Sequence, residues 1–214
     1  MTEPGYLAAT RTSYDTVAES YAGVIGSLFG GFPVGRGMLA VFAELVLAGG
    51  GGLVADVGCG PGLVTAHLNS LGVSAFGVDL SPKMIDIARS TYPELRFEVG
   101  SMTALDVPDG ELRGLVAWWS IFHVPREEVP AVIAGFHRAL APGGHLQIGF
   151  HVGAGRLSPE KAYGGHPVSY TVDLHRPEDL ADLLTEVGFD VTARLTTEGA
   201  KRQQAMLLAR KRVD

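Results

Sequence analysis

Leu53-Val54-Ala55-Asp56-Val57-Gly58-Cys59-Gly60-Pro61-Gly62 is the stretch on which the fold turns. Its apolar half, bounded by Gly49 to Gly52 on one side and alternating glycines on the other, suits a strand buried on both faces of a parallel sheet. The apolar spacing of residues 63–71 opens a helix directly after it. Glycine at 58, 60 and 62 lets the backbone turn sharply and lie against a ligand with no Cβ in the way. A dinucleotide-binding loop reads G-x-G-x-x-G. Here the third glycine comes one position early, Leu63 stands where that fingerprint wants glycine, and Asp56 precedes the first glycine by two residues. A carboxylate there repels a pyrophosphate and favours a cationic ammonium, held directly or through water.

Outward from this loop, strands and helices alternate. A second strand, 74–78, ends at Asp79, 21 residues after Gly58, where an acid accepts hydrogen bonds from ribose hydroxyls. Ser81-Pro82 caps and starts a helix to about 91. Strand-like 96–99 and apolar 115–119 follow, then a helix over 126–140, a Pro142-Gly143-Gly144 turn and a strand over 145–150. A helix over 177–187 stops at Gly188. Strands 191–197 and 204–210 follow with no helix between them, the pattern of an antiparallel hairpin at a sheet edge. Upstream, the spacing predicts a helix over 14–29, capped by Ser13 and stopped by Gly30-Gly31 and Pro33, and another over 35–48. The alternation means a doubly wound α/β sheet.

Composition sets outer bounds. A chain of 214 residues favours one domain. Lys+Arg 17 against Asp+Glu 23 gives a net charge of -6, a poor match for a phosphate backbone, so no nucleic-acid partner is expected. One cysteine forms neither an internal disulfide nor a multi-cysteine zinc site. Residues 1–12 lack a secretory pattern, and apolar runs such as 115–119 and 205–209 fall far short of the ~18 residues of a membrane span. The expectation is a soluble, cytoplasmic protein without a membrane partner, monomer or homodimer. The 29 glycines exceed ordinary usage, and their positions must say why.

Three segments carry a resemblance: Asp56-Val57-Gly58-Cys59-Gly60-Pro61-Gly62, Gly77-Val78-Asp79-Leu80-Ser81, and Leu140-Ala141-Pro142-Gly143-Gly144. Together they resemble the class I S-adenosylmethionine-dependent methyltransferases over roughly 13–211. The resemblance implies a Rossmann-like, seven-stranded, mostly parallel sheet of order 3-2-1-4-5-7-6, its last strand antiparallel. It implies S-adenosylmethionine as cofactor and S-adenosylhomocysteine as product, held by Asp56, Gly58, Gly60, Gly62, Asp79 and Leu80. Ser101 stands where relatives often place an aspartate on the adenine amino group, so it offers one hydroxyl or leaves that contact to backbone. Met102 is a candidate to pack on the adenine face, or is simply a core methionine. Tyr14-Asp15-x-x-Ala18-x-x-Tyr21 is similar to a lid helix. Tyr14 and Tyr21, seven apart on one helical face, are expected over the methionine end, with core aromatics the competing account. Arg36 either meets the cofactor carboxylate or is a solvated arginine.

The reacting centre follows the fourth strand, in Trp118-Trp119-Ser120-Ile121-Phe122-His123-Val124-Pro125. Trp118 and Ser120 are assigned to the cofactor side and Trp119 to the substrate side. His123 is the first candidate general base, because an unperturbed imidazole titrates near neutrality, and packing is its alternative role. His151, ending the fifth strand, is a weaker candidate. Residues 153–175 show no regular periodicity and hold Tyr163, His166, Tyr170 and His175. An irregular segment of ~20 residues inside a compact domain reads as a substrate-covering insertion. His151, Tyr170 and His175 are accordingly placed on the substrate side. The histidine spacings fit no standard metal motif, so no metal is expected. Trp119-Ser120-Ile121-Phe122 stands where nucleic-acid amino-methyltransferases carry Pro-Pro-aromatic, which favours a small-molecule acceptor. The expected whole is one domain, 1–214, with lid helices over about 13–48 and an insertion over about 152–175. Its expected reaction is in-line methyl transfer to an O or N atom of a metabolite. An NAD(P)-dependent reductase on a related fold and a non-catalytic cofactor-binding module are the alternatives.

Overall fold

The computed structural model describes residues 3–198 and 202–213. Its axis is β1 (Leu53–Val57), which pairs in parallel with β2 (Ser74–Asp79) on one side and β4 (Leu112–Trp118) on the other. β3 (Phe97–Val99) extends the sheet past β2, and β5 (Leu140–His151) extends it past β4. β11 (Gln204–Lys211) runs antiparallel to β5, and β10 (Phe189–Thr197) closes the edge against β11. The order β10-β11-β5-β4-β1-β2-β3 is the expected seven-stranded arrangement. Four two-residue strands lie between β5 and β10 in the chain and stay outside this sheet.

Both faces are covered because the central strands are apolar on both sides. Val54 and Val116 face a layer built on α2 (Pro33–Ala48) and α3 (Leu63–Ser70), where Leu39, Phe42 and Leu68 are fully buried. Leu115, Leu146 and Ile148 face α5 (Val129–Ala139) and α6 (Pro177–Val187), around Phe136 and Phe189. Gly114 is where sheet and helix come closest: a Cβ there would sit 2.6 Å from the Phe42 ring. Burial of that phenylalanine contributes roughly 2–3 kcal/mol, which a larger residue at 114 would put at risk by overpacking.

Several boundaries differ from the sequence reading. α1 runs Gly5–Gly30, so it starts well before Ser13. Ser13 is no cap: it is buried in mid-helix and its hydroxyl donates back to the Ala9 carbonyl at 2.8 Å. Residues 5–12 contain no breaker after Pro4, so nothing stops the helix from extending. α5 begins at 129, not 126. β4 begins at Leu112, and β5 begins at Leu140 and runs through Pro142-Gly143-Gly144, with a register shift between Leu112 and Gly114 that absorbs the glycine turn. Residues 153–175 are not irregular. β6 (Arg156–Leu157) pairs with β9 (Val172–Asp173), and β7 (Lys161–Ala162) with β8 (His166–Pro167). Arg156 grips the buried Asp173 at 2.8–3.2 Å, and Tyr163-Gly164-Gly165 turns the small hairpin with φ of 44, 94 and 88°. Two-residue ladders are too short to leave a period in the sequence.

No single helix among the described residues is long and apolar enough to cross a membrane. α4 (Pro82–Thr91) begins as expected, with the Ser81 hydroxyl accepting from the Met84 amide. β1, β4 and β5 deliver Gly58, Trp119 and His151 to one edge of the sheet. There α1 contacts α4 and β8, and the 152–175 segment closes over the same edge.

Candidate active site

The loop after β1 is held open by glycine. Gly58, Gly60 and Gly62 have φ of 74, 54 and 86°, a region that L side chains rarely adopt. Gly58 and Cys59 donate their amides to the Val78 carbonyl, at 2.7 and 3.1 Å, which folds the loop back onto β2. A Cβ at Gly58 would lie 2.3 Å from that of Ser120, whose hydroxyl donates to the Val57 carbonyl at 2.7 Å. Gly62 caps α3, and a Cβ there would strike the Phe97 ring. Gly62 therefore builds the turn and lines neither cavity.

Two carboxylates flank this loop. Asp56 is fully buried; its Oδ2 accepts from the Thr65 hydroxyl at 2.7 Å, and its Oδ1 has no partner among the described residues. Burial pushes its pKa up to about 7, against the Thr65 bond. Asp79 accepts from the Gly60 amide through Oδ2 and from the Ser81 amide through Oδ1, both at 2.8 Å. Burial raises it to about 6, against those amides. Asp79 thus shapes the loop itself, and its remaining lone pairs face a cavity of about 90 Å³ lined also by Leu80, Ser101 and Met102. Ser101 spends its hydroxyl on the next turn, beside Thr103 Oγ1 at 2.8 Å and the Thr103 amide at 3.2 Å. Two acids, an orphaned buried acceptor and apolar walls suit a ribose-bearing cation and oppose a pyrophosphate.

A second cavity of about 510 Å³ adjoins the first, and the two share Tyr14, Tyr21, Gly58, Trp118, Trp119 and His123. Trp119 sits at φ 52°, a strained conformation for a bulky residue, anchored by its amide on the Gly149 carbonyl at 2.9 Å. Its indole lies against Gly149, where a Cβ would come within 2.6 Å. α1 and the 152–175 segment close the roof. Tyr14 stacks on Tyr170 at 5.4 Å, and Tyr21 meets Tyr163 edge-on at 4.9 Å. Ser13 Oγ accepts from the Ser169 amide at 2.8 Å, and Ser20 Oγ pairs with His166 Nε2 at 2.9 Å.

His123 joins three elements. Its Nδ1 lies 2.9 Å from the Thr171 carbonyl, which only accepts, so Nδ1 carries the proton. Its Nε2 therefore accepts from the Tyr14 hydroxyl, at 2.7 Å. Loss of hydration pushes the ring down to about 4, although the Thr171 bond opposes this. The expectation of an imidazole titrating near neutrality with a free nitrogen does not hold in this arrangement. His151 stacks over Phe122 at 5.2 Å, and burial takes it too to about 4.

The cavities bring together Asp56, Gly58, Gly60, Asp79, Leu80, Ser101, Met102, Trp118, Trp119, Ser120, His123, His151, Tyr14, Tyr21 and Tyr170. His175 is not with them; it is buried beneath Phe150, its ring edge-on at 6.2 Å, because the Val152–His175 bridge turns it into the protein. Arg36 does not face a cavity: its guanidinium donates to the Phe29 and Gly30 carbonyls at the end of α1, a use of cations that helix C-termini favour. The reading missed Thr65, Phe29, Phe32 and Glu198. Phe32 between Gly31 and Pro33, at the elbow of two helices, was the available signal. Among the described residues, no group of three His, Cys, Asp or Glu side chains is disposed to hold a metal ion.

A seven-stranded Rossmann-like sheet with an acid-flanked glycine loop at its carboxyl edge is an arrangement that suits a nucleoside-bearing cofactor. Residues 54–144 match the family model described as "Methyltransferase domain". An uncharacterised methyltransferase of Synechocystis sp. is 27% identical over 170 residues, covering 75% of this chain and 77% of that one. The magnesium-protoporphyrin O-methyltransferase of Rhodobacter capsulatus is 38% identical over 85 residues, covering 37% of each chain, so this chain spans well under two thirds of that relative. Among solved structures, the DhpI-SAH complex superposes with a TM-score of 0.75 at 20% identity, over 100% of both chains. Residues 54–144 thus carry a methyltransferase domain, and the chain is similar over most of its length to methyltransferases and shares their fold.

Proposed function

We propose that this chain transfers a methyl group from S-adenosylmethionine to an O or N atom of a small-molecule metabolite. One observation carries the reading: a small cavity with Asp79 on its wall and a large aromatic one with Asp56 at its inner end meet at Tyr14, Trp119 and His123. Methyl transfer from a sulfonium is an in-line displacement, and it needs two reactants held in line and kept dry. When bound, S-adenosylmethionine supplies an electrophilic methyl on a sulfonium. Asp79 receives the ribose hydroxyls, Leu80 and Met102 hold the adenine, and the free oxygen of Asp56 attracts the amino end. Tyr14 and Tyr21 close over that end from α1. The loop argues against the NAD(P) alternative, since Asp56 opposes a pyrophosphate and the third glycine comes one position early, whereas Asp79 suits the ribose of either cofactor.

His123 acts in this reading as a positioning residue. With one nitrogen donating to Thr171 and the other accepting from Tyr14, it fixes the tyrosine hydroxyl at the junction of the cavities. A neutral ring so far below neutrality stores no proton at physiological pH. α1, α2 and residues 152–175 are read as covers on a single domain that exclude water from the reacting pair. The small-molecule class draws support from the named activity of the Rhodobacter relative and from the enclosed aromatic cavity. Calorimetric titration of the whole chain with S-adenosylhomocysteine and with NADH is the test. Binding of the first and not the second is expected; NADH binding alone would overturn the proposal.

A further inference from the structure

The larger cavity has a charge pattern that the methyl-transfer reading does not require. Its walls are rings, chiefly Phe32, Trp118, Trp119, Phe122, Tyr163 and Tyr170, and among its described lining residues there is no lysine or arginine. The charged side chains on it are Asp56, buried at its inner end, and Glu198, exposed at its rim. A carboxylate, phosphate or sulfate on the acceptor would be stripped of water there and find no cation on the described wall, Arg202 acting on His151 only from outside the lining, a cost of several kcal/mol for an unpaired buried charge. A protonated amine meets the opposite difficulty. The acids and the ring faces hold its proton on, and an ammonium nitrogen has no lone pair to attack with. Of the two histidines on the cavity, His123 is committed to Thr171 and Tyr14, whereas His151 stacks on Phe122 and its buried Nδ1 has no partner among the described residues.

Resting on the methyl-transfer reading, we infer that the acceptor is an uncharged, flat, conjugated molecule whose reacting O–H or N–H belongs to the ring system, a phenol, enol or heteroaromatic N–H. Conjugation lowers the acidity barrier at that atom, so the proton leaves without a strong protein base. The C–O or C–N bond to the methyl forms as the C–S bond breaks, the electron pair staying on sulfur. The acceptor proton is released to solvent. Ring stacking against Trp119 and Tyr170 provides the binding contacts that charge does not.

Three probes sharing one ring system separate the cases: naphthol, naphthoate and naphthylmethylammonium, each titrated calorimetrically into the chain saturated with S-adenosylhomocysteine. Naphthol is expected to bind about tenfold or more tightly than naphthoate, and naphthylmethylammonium to bind yet gain no methyl group when S-adenosylmethionine replaces the product. The exposed rim variant Glu198→Lys is expected to bind naphthoate several-fold more tightly than the parent chain, and no gain would overturn the charge argument. Naphthoate binding as well as naphthol to the parent chain, or methylation of naphthylmethylammonium, overturns the acceptor class and leaves the methyl-donor reading standing. Failure of S-adenosylhomocysteine itself to bind sinks the reading beneath it.

Discussion

At the residue scale, buried charge explains most of the site. Asp56 sits at about 7 where an unfolded aspartate titrates near 3.8, so its folded-state pKa is raised. The folded chain then binds more protons than the unfolded one between those values, and Asp56 costs stability as pH rises through 7. Asp56→Asn is expected to be more stable than the parent by roughly 1–4 kcal/mol at pH 8 and by little at pH 4, read by urea unfolding at both. The same variant should bind S-adenosylhomocysteine more weakly. Asp79→Ala removes the acceptor of the Gly60 and Ser81 amides, and a loss of roughly 1.5–3 kcal/mol in cofactor binding is expected by calorimetry. Tyr14 and His123 share one hydrogen bond, so Tyr14→Phe and His123→Ala should be non-additive in kcat/KM, coupled by roughly 0.5–3 kcal/mol. Additive losses would separate their roles. NMR titration should find the His123 ring neutral from pH 8 down to about 5, since its folded pKa of about 4 lies below that window.

Among the elements, α1 and the 152–175 segment depend on each other. Ser13, Tyr14, Ser20 and Tyr21 lie along α1, and each has its partner in that segment: Ser169, Tyr170, His166 and Tyr163. Neither element has a large core of its own, so opening one should loosen the other. Tyr170→Ala is expected to cost about 2–4 kcal/mol and to speed amide exchange in both α1 and residues 161–173, while β1 and β4 keep their protection. Faster exchange confined to the mutated segment would refute the coupling. This pairing was only half legible in the sequence. Tyr14 and Tyr21 could be put on one face by helical spacing, but their partners lie about 140–160 residues away, joined by ladders of two residues.

For the molecule as a whole, the fold was legible because parallel strands buried on both faces are near-continuous apolar runs, and because punctuation by glycine and proline marks every turn. The loop glycines, Asp56 and Asp79 were legible for a related reason: their chemistry follows from position along a strand–turn–helix unit, which is local. A ligand that binds only the folded chain stabilises it by mass action, so S-adenosylhomocysteine at 100 times its Kd should add about 2.7 kcal/mol, seen as a rise of several degrees in Tm. No shift at saturation would contradict a preformed site. The sequence by itself determined the alternation of strands and helices and the acid-flanked glycine loop, because short-range periodicity and backbone freedom encode them, while the strand order came only with the family resemblance. Only the tertiary structure decided that His123 is neutral and held at both nitrogens, that His175 and Arg36 turn away, and that the larger cavity is walled by rings without a lysine or arginine among its described lining residues. Those facts are set by groups distant in sequence, whose burial and mutual hydrogen bonds exist only once the chain has closed over itself.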